Sequence, residues 1–449
     1  MKDHKTHKQK LSLIGSVSLG TGVMIGAGIF VLMGQIAELI GDLFPIAFIA
    51  GAIIVAFSSY SYVKFSNTYP SSGGVAKFLT KAYGPGIAAG FFSLLMYVSM
   101  VVAESLVART FGAYTLRLFP EEYAGFASIL GVILIAAAYI INISGNKVIE
   151  ATATFTAIIK VAGIALLAIS GLVISGLPAI TGNYIATNSQ SLPVGFSFIA
   201  ALALSILAYK GFTTITNQGG DIKNPHKNVG RSIIISIAIC TIIYLTLALS
   251  VAGGLSIEEI IVAKDYALAA AAKPVFGEWG SVLTIFLAII ATVSGVIASV
   301  YSASRMLGML SQMKQVPNLN RVKNLKNPSL IFTVSLAILV TILFDLTRIA
   351  SIGAIFYLIM DIAIHWGLFR HLKKEVKFNP IIPIIAILMD IIVLAAFIYM
   401  KYLNDPFVLM VAGIGIILIF LFQYLFMKSH TDKDGKMHME MDEEEMMKM

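Results

Sequence analysis

The 449-residue chain is written in long apolar runs separated by short polar stretches. The runs show neither the alternation of a half-buried strand nor the single apolar stripe of a surface helix. They are apolar all round and on the order of twenty residues long, the length a helix needs to cross a hydrocarbon core. Twelve segments are read, at residues 11–40, 43–63, 86–116, 124–143, 149–176, 195–219, 231–253, 280–310, 329–345, 349–369, 379–400 and 406–427. Short alternating strands, the mark of a membrane barrel, are absent. The pattern predicts an all-α membrane protein of twelve transmembrane helices.

Composition narrows the class. Hydrophobic residues make up 58% of the chain and charged residues 12%, where a soluble domain carries about 25% charged residues. A soluble globular enzyme, a disordered chain and a coiled coil are excluded. The single cysteine, Cys240, sits in an apolar run and provides no disulfide framework.

The net charge of +8 does not gather into a nucleic-acid patch. With the N-terminus inside, 23 of the 32 Lys and Arg residues fall on that side, and five (Arg117, Lys264, Lys273, Arg348, Lys401) on the other. This bias places both termini in the cytoplasm of a cell bounded by a plasma or inner membrane that the chain crosses many times. The basic N-terminal stretch has the outline of a signal peptide. The apolar run after it is too long and no small-residue cleavage site precedes the next span, so it reads as the first span. The tail at 429–449, with Met437, Met439 and Met441 ahead of Glu443 to Glu445, reads as a solvated disordered segment rather than a soft-metal site.

Two spans carry interruptions. In the first, Gly20, Gly22, Gly26 and Gly28 fall within nine residues, each weakening a helix by roughly 1 kcal/mol relative to Ala. In the sixth, Ala208-Tyr209-Lys210-Gly211-Phe212 is followed by Thr213 to Asn217 and Gly219-Gly220. These are the first spans of two successive five-helix units, and paired breaks at matching places of two halves point to a transporter's binding site. A half-helix N-terminus offers free N–H groups and a positive dipole end to a carboxylate, and unwound carbonyls suit a cation. The alternative for Gly22 to Gly26 is close helix packing of the GxxxG kind. A dinucleotide-binding fingerprint is excluded by the lack of a strand–turn–helix context.

At these residues a family resemblance emerges. Gly22 to Phe30 (Gly-Val-Met-Ile-Gly-Ala-Gly-Ile-Phe) resembles the first-helix motif of the amino acid–polyamine–organocation (APC) superfamily. Ala208 to Phe212, followed by Asp221 to Val229, resembles its sixth-helix and following-loop signature. Ala267 to Lys273 with Pro274, and the stretch from Ser304-Arg305 to Pro317, also fit. The similarity runs from about residue 11 to 370 and is strongest to the proton-coupled broad-specificity amino-acid transporters.

The resemblance implies a five-plus-five inverted-repeat (LeuT-like) fold with two discontinuous helices, 1 and 6. It divides the chain into a tail at 1–10, repeats at 11–176 and 194–370, two appended helices at 371–428 and the tail at 429–449. It implies a monomer or homodimer in membrane lipid, an amino acid and protons as partners, no nucleic acid and no cofactor. Ile25, Gly26, Ala27 and Gly28 would present N–H groups to an α-carboxylate. Carbonyls near Gly22 and around Ala208, Tyr209 and Gly211 would face the α-ammonium, and Phe212 would be an aromatic lid. Three positions depart from the pattern. Thr213 stands where many members have Glu, Asp221 where Glu is common, and Gly230 where Pro is common.

Ionisable residues inside spans cost about 2.5–3.5 kcal/mol on insertion scales and mark function by default. Lys160 resembles the fifth-helix lysine of the proton-coupled members, whose ammonium fills the space that sodium takes in sodium-coupled relatives. Its expected neighbours are the Gly22 carbonyl and Ser294, and the alternative is a lysine that simply ties spans 1, 5 and 8 together. Glu104, Lys210 and Asp361 lie in spans 3, 6 and 10 and are expected to form a charge cluster, with Glu104 or Asp361 pairing with Lys210. The alternative is a salt-bridged latch without substrate contact. His365 lies one turn from Asp361 on the same helix face, near a helix end where a surface role is expected. Asp390, in span 11, is expected outside the transport core.

The sequence therefore reads as a secondary transporter that takes up neutral amino acids together with protons by alternating access. An exchanger of amino acids, cationic amino acids or polyamines comes second. A non-transporting receptor ranks below both. Neither HExxH nor a Walker A motif is present, so the chain does not read as an enzyme or an ATP-driven pump.

Overall fold

The computed structural model describes residues 10–71, 73–144, 146–180, 192–319 and 327–429, leaving aside the side chains of 27 and 146–155. The methionine-rich tail beyond 429 lies outside the described residues. Among the described residues regular structure is helical, apart from one isolated bridge between Leu11 and Ile222.

The helices are α1 (Leu13–Ile40), α2 (Phe44–Thr68), α3 (Gly74–Tyr83), α4 (Ile87–Thr115), α5 (Ala127–Ile143), α6 (Asn146–Ser175), α7 (Val194–Tyr209), α8 (Thr213–Asn217), α9 (Pro225–Gly254), α10 (Ile257–Val262), α11 (Ala267–Gln312), α12 (Pro328–Leu343), α13 (Leu346–His371), α14 (Ile381–Asn404) and α15 (Pro406–Lys428). Each apolar segment of the sequence falls on a helix, the sixth on α7 together with α8. Among the described residues ten stretches are long and apolar enough to cross a membrane, the first running Gly28–Thr68 through the end of α1 and all of α2. Leu13–Gly26 and Pro328–Leu343 are apolar but shorter.

Local chemistry sets the ends. Ser12 Oγ accepts from Gly15 N at 3.1 Å and caps α1. Ser256 and Glu259 form a capping box on α10. Proline opens α2, α9, α12 and α15. Within α11, Pro274 and the positive φ of Gly277 (68°) make a kink, a backbone conformation that favours glycine.

Burial separates centre from rim. The most apolar window of Val194–Asn217 is 83% buried and that of α15 only 17%. The buried elements α1, α4, α7, α11 and α13 pack around the chain's centre, while α5 and α15 face outward.

The two expected breaks fare differently. α1 is unbroken from Leu13 to Ile40, across all four glycines, so the discontinuity expected in helix 1 is absent here. Packing overrides propensity. A Cβ at Gly28 would stand 2.7 Å from both Cα and O of Ala208, and one at Gly20 would stand 2.4 Å from the Ile215 side chain. Gly20 and Gly28 thus admit close neighbours, whereas a Cβ at Gly22 or Gly26, the pair of the close-packing alternative, would meet its nearest atom at 3.4 and 3.3 Å. The break in helix 6 is present. α7 stops at Tyr209, Lys210–Phe212 form a 3₁₀ turn, and α8 lasts only five residues. Gly211 lets α1 approach, since a Cβ there would meet Met24 N at 2.7 Å.

Candidate functional site

A cavity of about 80 Å³ lies where α1, α4, α11 and the α7–α8 break meet. At roughly 10–15 Å³ per water it holds several waters or a small polar group. Val23, Met24 and Gly28 of α1 line it, with Ala208, Lys210, Gly211, Thr213 and Thr214 from the break and Ser299 and Ser302 from α11. Lys210 is the one charged residue of this lining.

Of the residues expected to hold substrate, Gly28, Ala208 and Gly211 reach the cavity, whereas Ile25, Gly26, Tyr209 and Phe212 do not line it. Tyr209 donates to the Phe48 carbonyl at 3.1 Å. Phe212 is fully buried, edge-on to Tyr62 at 5.1 Å. Ala27 is described only as part of the α1 backbone. The N–H groups of Ile25 to Gly28 sit inside a continuous helix. Interior helical N–H groups are committed to carbonyls four residues back, so they are not free donors for a carboxylate in this conformation.

Lys160 is 3% exposed. Its Nζ donates to the Gly22 carbonyl at 3.0 Å and to Ser294 Oγ at 2.8 Å, tying α6 to α1 and α11. Among the described residues it makes no ion pair.

Among the described residues no ion pair joins Glu104, Lys210 and Asp361, although the Asp361 charge lies near enough to act on Lys210. Lys210 Nζ donates to the Ser99 carbonyl at 2.9 Å and to the Ser99 hydroxyl, and lies 5.4 Å from the centre of the Tyr357 ring. Asp361 accepts from Ser58 Oγ and Tyr62 Oη, each at 2.6 Å. Glu104 is fully buried, with neither carboxylate oxygen hydrogen-bonded. Hydroxyls and a carbonyl satisfy the Lys210 and Asp361 charges locally, which removes the need for a long-range pair. Nothing in the sequence marks Ser99 or Ser58 among many span serines.

His365 is another correction, being fully buried rather than at a surface. Asp390 of α14 is equally buried, and its Oδ2 lies 3.4 Å from His365 Nε2.

Since no donor holds Glu104, Glu104→Gln is expected to retain uptake within about twofold and to leave the melting temperature unchanged or raised, because an unpaired buried carboxyl costs free energy. A loss of uptake with intact folding would show that the carboxyl is used.

On the face where α1 begins, Leu11 N donates to the Asp221 carbonyl at 2.8 Å, Lys223 N donates to the Leu11 carbonyl at 2.9 Å, and Arg305 faces Asp221 Oδ2 at 3.5 Å. The opposite face carries a polar vestibule of about 390 Å³. Glu38–Lys264 (2.8 Å) and Arg348–Asp405 (2.9 Å) bridge its walls. Burial raises the Asp265 carboxyl there, with Lys264 opposing. Half-exposed pairs contribute about 0.2–1 kcal/mol. Asp221→Asn is therefore expected to change uptake by less than about fivefold, and complete loss of uptake would assign the pair a larger role.

Long apolar helices packed around a cavity at a broken helix are the build of a polytopic membrane protein. The chain belongs to the amino acid permease family, whose model matches residues 11–423. It is 29% identical to the inner membrane transport protein YbaT of Escherichia coli, over 87% of this chain and 90% of that one. It is 32% identical to an uncharacterized protein of Methanocaldococcus jannaschii, over 78% and 80%. It is 25% identical to the serine/threonine exchanger SteT of Bacillus subtilis, over 85% and 89%. The protein is a membrane transporter of amino acids and not an enzyme.

Proposed function

We propose that this permease takes up neutral amino acids together with protons, by alternating access, through a twelve-span bundle with both termini in the cytoplasm. In this reading 11–176 and 194–370 are inverted repeats and the substrate binds at the α7–α8 break. Lys160 carries the reading. A buried ammonium held only by the neutral oxygens of Gly22 and Ser294 can give up its proton without stranding a paired carboxylate. Its proton state then acts directly on α1 and α11, which wall the cavity. Among the described residues no carboxylate lines the cavity, which favours neutral amino acids over cationic ones and polyamines. The intact α1 leaves Lys210 and the threonines of the break as the polar groups nearest a substrate carboxylate.

Uptake of labelled serine, alanine and leucine into proteoliposomes tests this. An acid-outside gradient should stimulate uptake several-fold, with the stimulation abolished by a protonophore. Gradient-independent uptake overturns the coupling. Exchange is the second reading, favoured by the likeness to an exchanger of serine and threonine. Stimulation of uptake by substrate on the far side of the membrane would select it.

A further inference from the structure

A polar cluster between α2, α13 and α14 takes no part in the transport reading. Asp361 and His365 lie one turn apart on α13 and face Asp390 on α14. All three are 0% exposed. Part of the cluster is fully satisfied. Asp361 accepts from the Ser58 and Tyr62 hydroxyls, and His365 Nδ1 is 2.8 Å from Ser61 Oγ. The rest is not. His365 Nε2 and both oxygens of Asp390 have no hydrogen-bond partner.

These unpartnered atoms converge. His365 Nε2 lies 3.4 Å from Asp390 Oδ2 and 3.6 Å from Asp361 Oδ2, and one ligand atom from each residue lies within 4.8 Å of the others. The two His365 separations exceed good hydrogen-bond lengths. They match the spacing of ligands around a single ion, because atoms about 2.0–2.2 Å from a tetrahedral zinc stand about 3.3–3.6 Å from one another. In the tautomer that carries its proton on Nδ1, toward Ser61 Oγ, the Nε2 lone pair faces two carboxylates, an arrangement that a cation at the centre resolves. Hydroxyls on Asp361 and on the far nitrogen of His365 are the outer layer that orients metal ligands. Two carboxylates and a neutral imidazole neutralise a divalent ion, as burial requires.

We propose that Asp361, His365 and Asp390 bind one divalent transition-metal cation of zinc type, which fastens α14 to α13. The mixed nitrogen and oxygen donors suit such an ion better than magnesium or calcium. The site also touches the turn that breaks helix 6. Tyr62, which holds Asp361, packs edge-on against Phe212 at the helix break.

The test uses full-length protein purified in detergent without a polyhistidine tag, stripped with a chelator and dialysed against zinc. Mass spectrometry is expected to find one zinc retained per chain. Asp390→Asn should weaken retention by more than about 100-fold, beyond the 10–100-fold typical of losing an outer-layer partner. Retention should survive His430→Ala with His438→Ala, which removes the tail's imidazoles. Cobalt in place of zinc should give a tetrahedral visible spectrum, and His365→Cys should add a thiolate-to-cobalt charge-transfer band. If Asp390→Asn does not fold, that band decides the question by itself. No zinc above the Asp390→Asn level, loss of zinc with the tail histidines, or a His365→Cys protein without the band overturns the site and leaves a triad held by protons alone.

Discussion

Lys160→Ala is expected to uncouple uptake from the pH gradient while leaving exchange intact. One pH unit across the membrane drives a one-proton symporter by about 1.4 kcal/mol, a tenfold accumulation of substrate. The wild-type protein should approach that ratio in proteoliposomes, and Lys160→Ala should bring it to one, with counterflow of labelled substrate kept within about threefold. The asymmetry follows from the geometry. Lys160 touches the Gly22 carbonyl and Ser294 Oγ and is not among the residues lining the cavity, so its loss removes the proton and spares the substrate's contacts. Stability should hold or rise, because the variant removes a buried ammonium that has no ion pair among the described residues. Lys160→Met, closer in volume, separates packing from charge and should behave alike. A gradient-dependent Lys160→Ala protein would reject the coupling role and leave Lys160 as a tie between α6, α1 and α11.

The helices were legible because lipid demands long uniform apolar runs, and no tertiary contact overrides that demand. Lys160 stood out because a charge deep in such a run is rare, and the Gly22 and Ser294 oxygens expected beside it are where the structure puts them. The partners of Lys210 and Asp361 were not legible. A backbone carbonyl and hydroxyls supply them, and spans are full of both. His365 was misplaced because its position near the end of α13 suggested water, whereas α2 and α14 cover it through Ser61 and Asp390. Helix propensity failed at α1, where the local cost of Gly20 and Gly28 is outweighed by what they let approach.

That last point separates two roles for the α1 glycines by experiment. If they serve close packing, substitution should hurt in proportion to the neighbour a methyl would strike. Gly28→Ala is then expected to cut uptake by more than tenfold, because its Cβ would sit 2.7 Å from the Ala208 backbone and 3.0 Å from its Cβ. Ordinary contact needs about 3.5–4.0 Å, so α1 and α7 must part beside the cavity, at a cost of about 1–3 kcal/mol. Gly22→Ala should be mild, since its nearest atom is Ala157 Cβ at 3.4 Å. Gly413→Ala, with nothing within 4 Å, should preserve uptake and gain up to about 1 kcal/mol of helix stability. If the glycines instead let α1 unwind around substrate, Gly22→Ala and Gly28→Ala should impair uptake equally, since each stiffens the same segment. Thermal unfolding of the same proteins distinguishes the cases independently. Packing predicts a lowered melting temperature for Gly28→Ala alone, whereas a required break predicts raised melting temperatures for both together with lost transport.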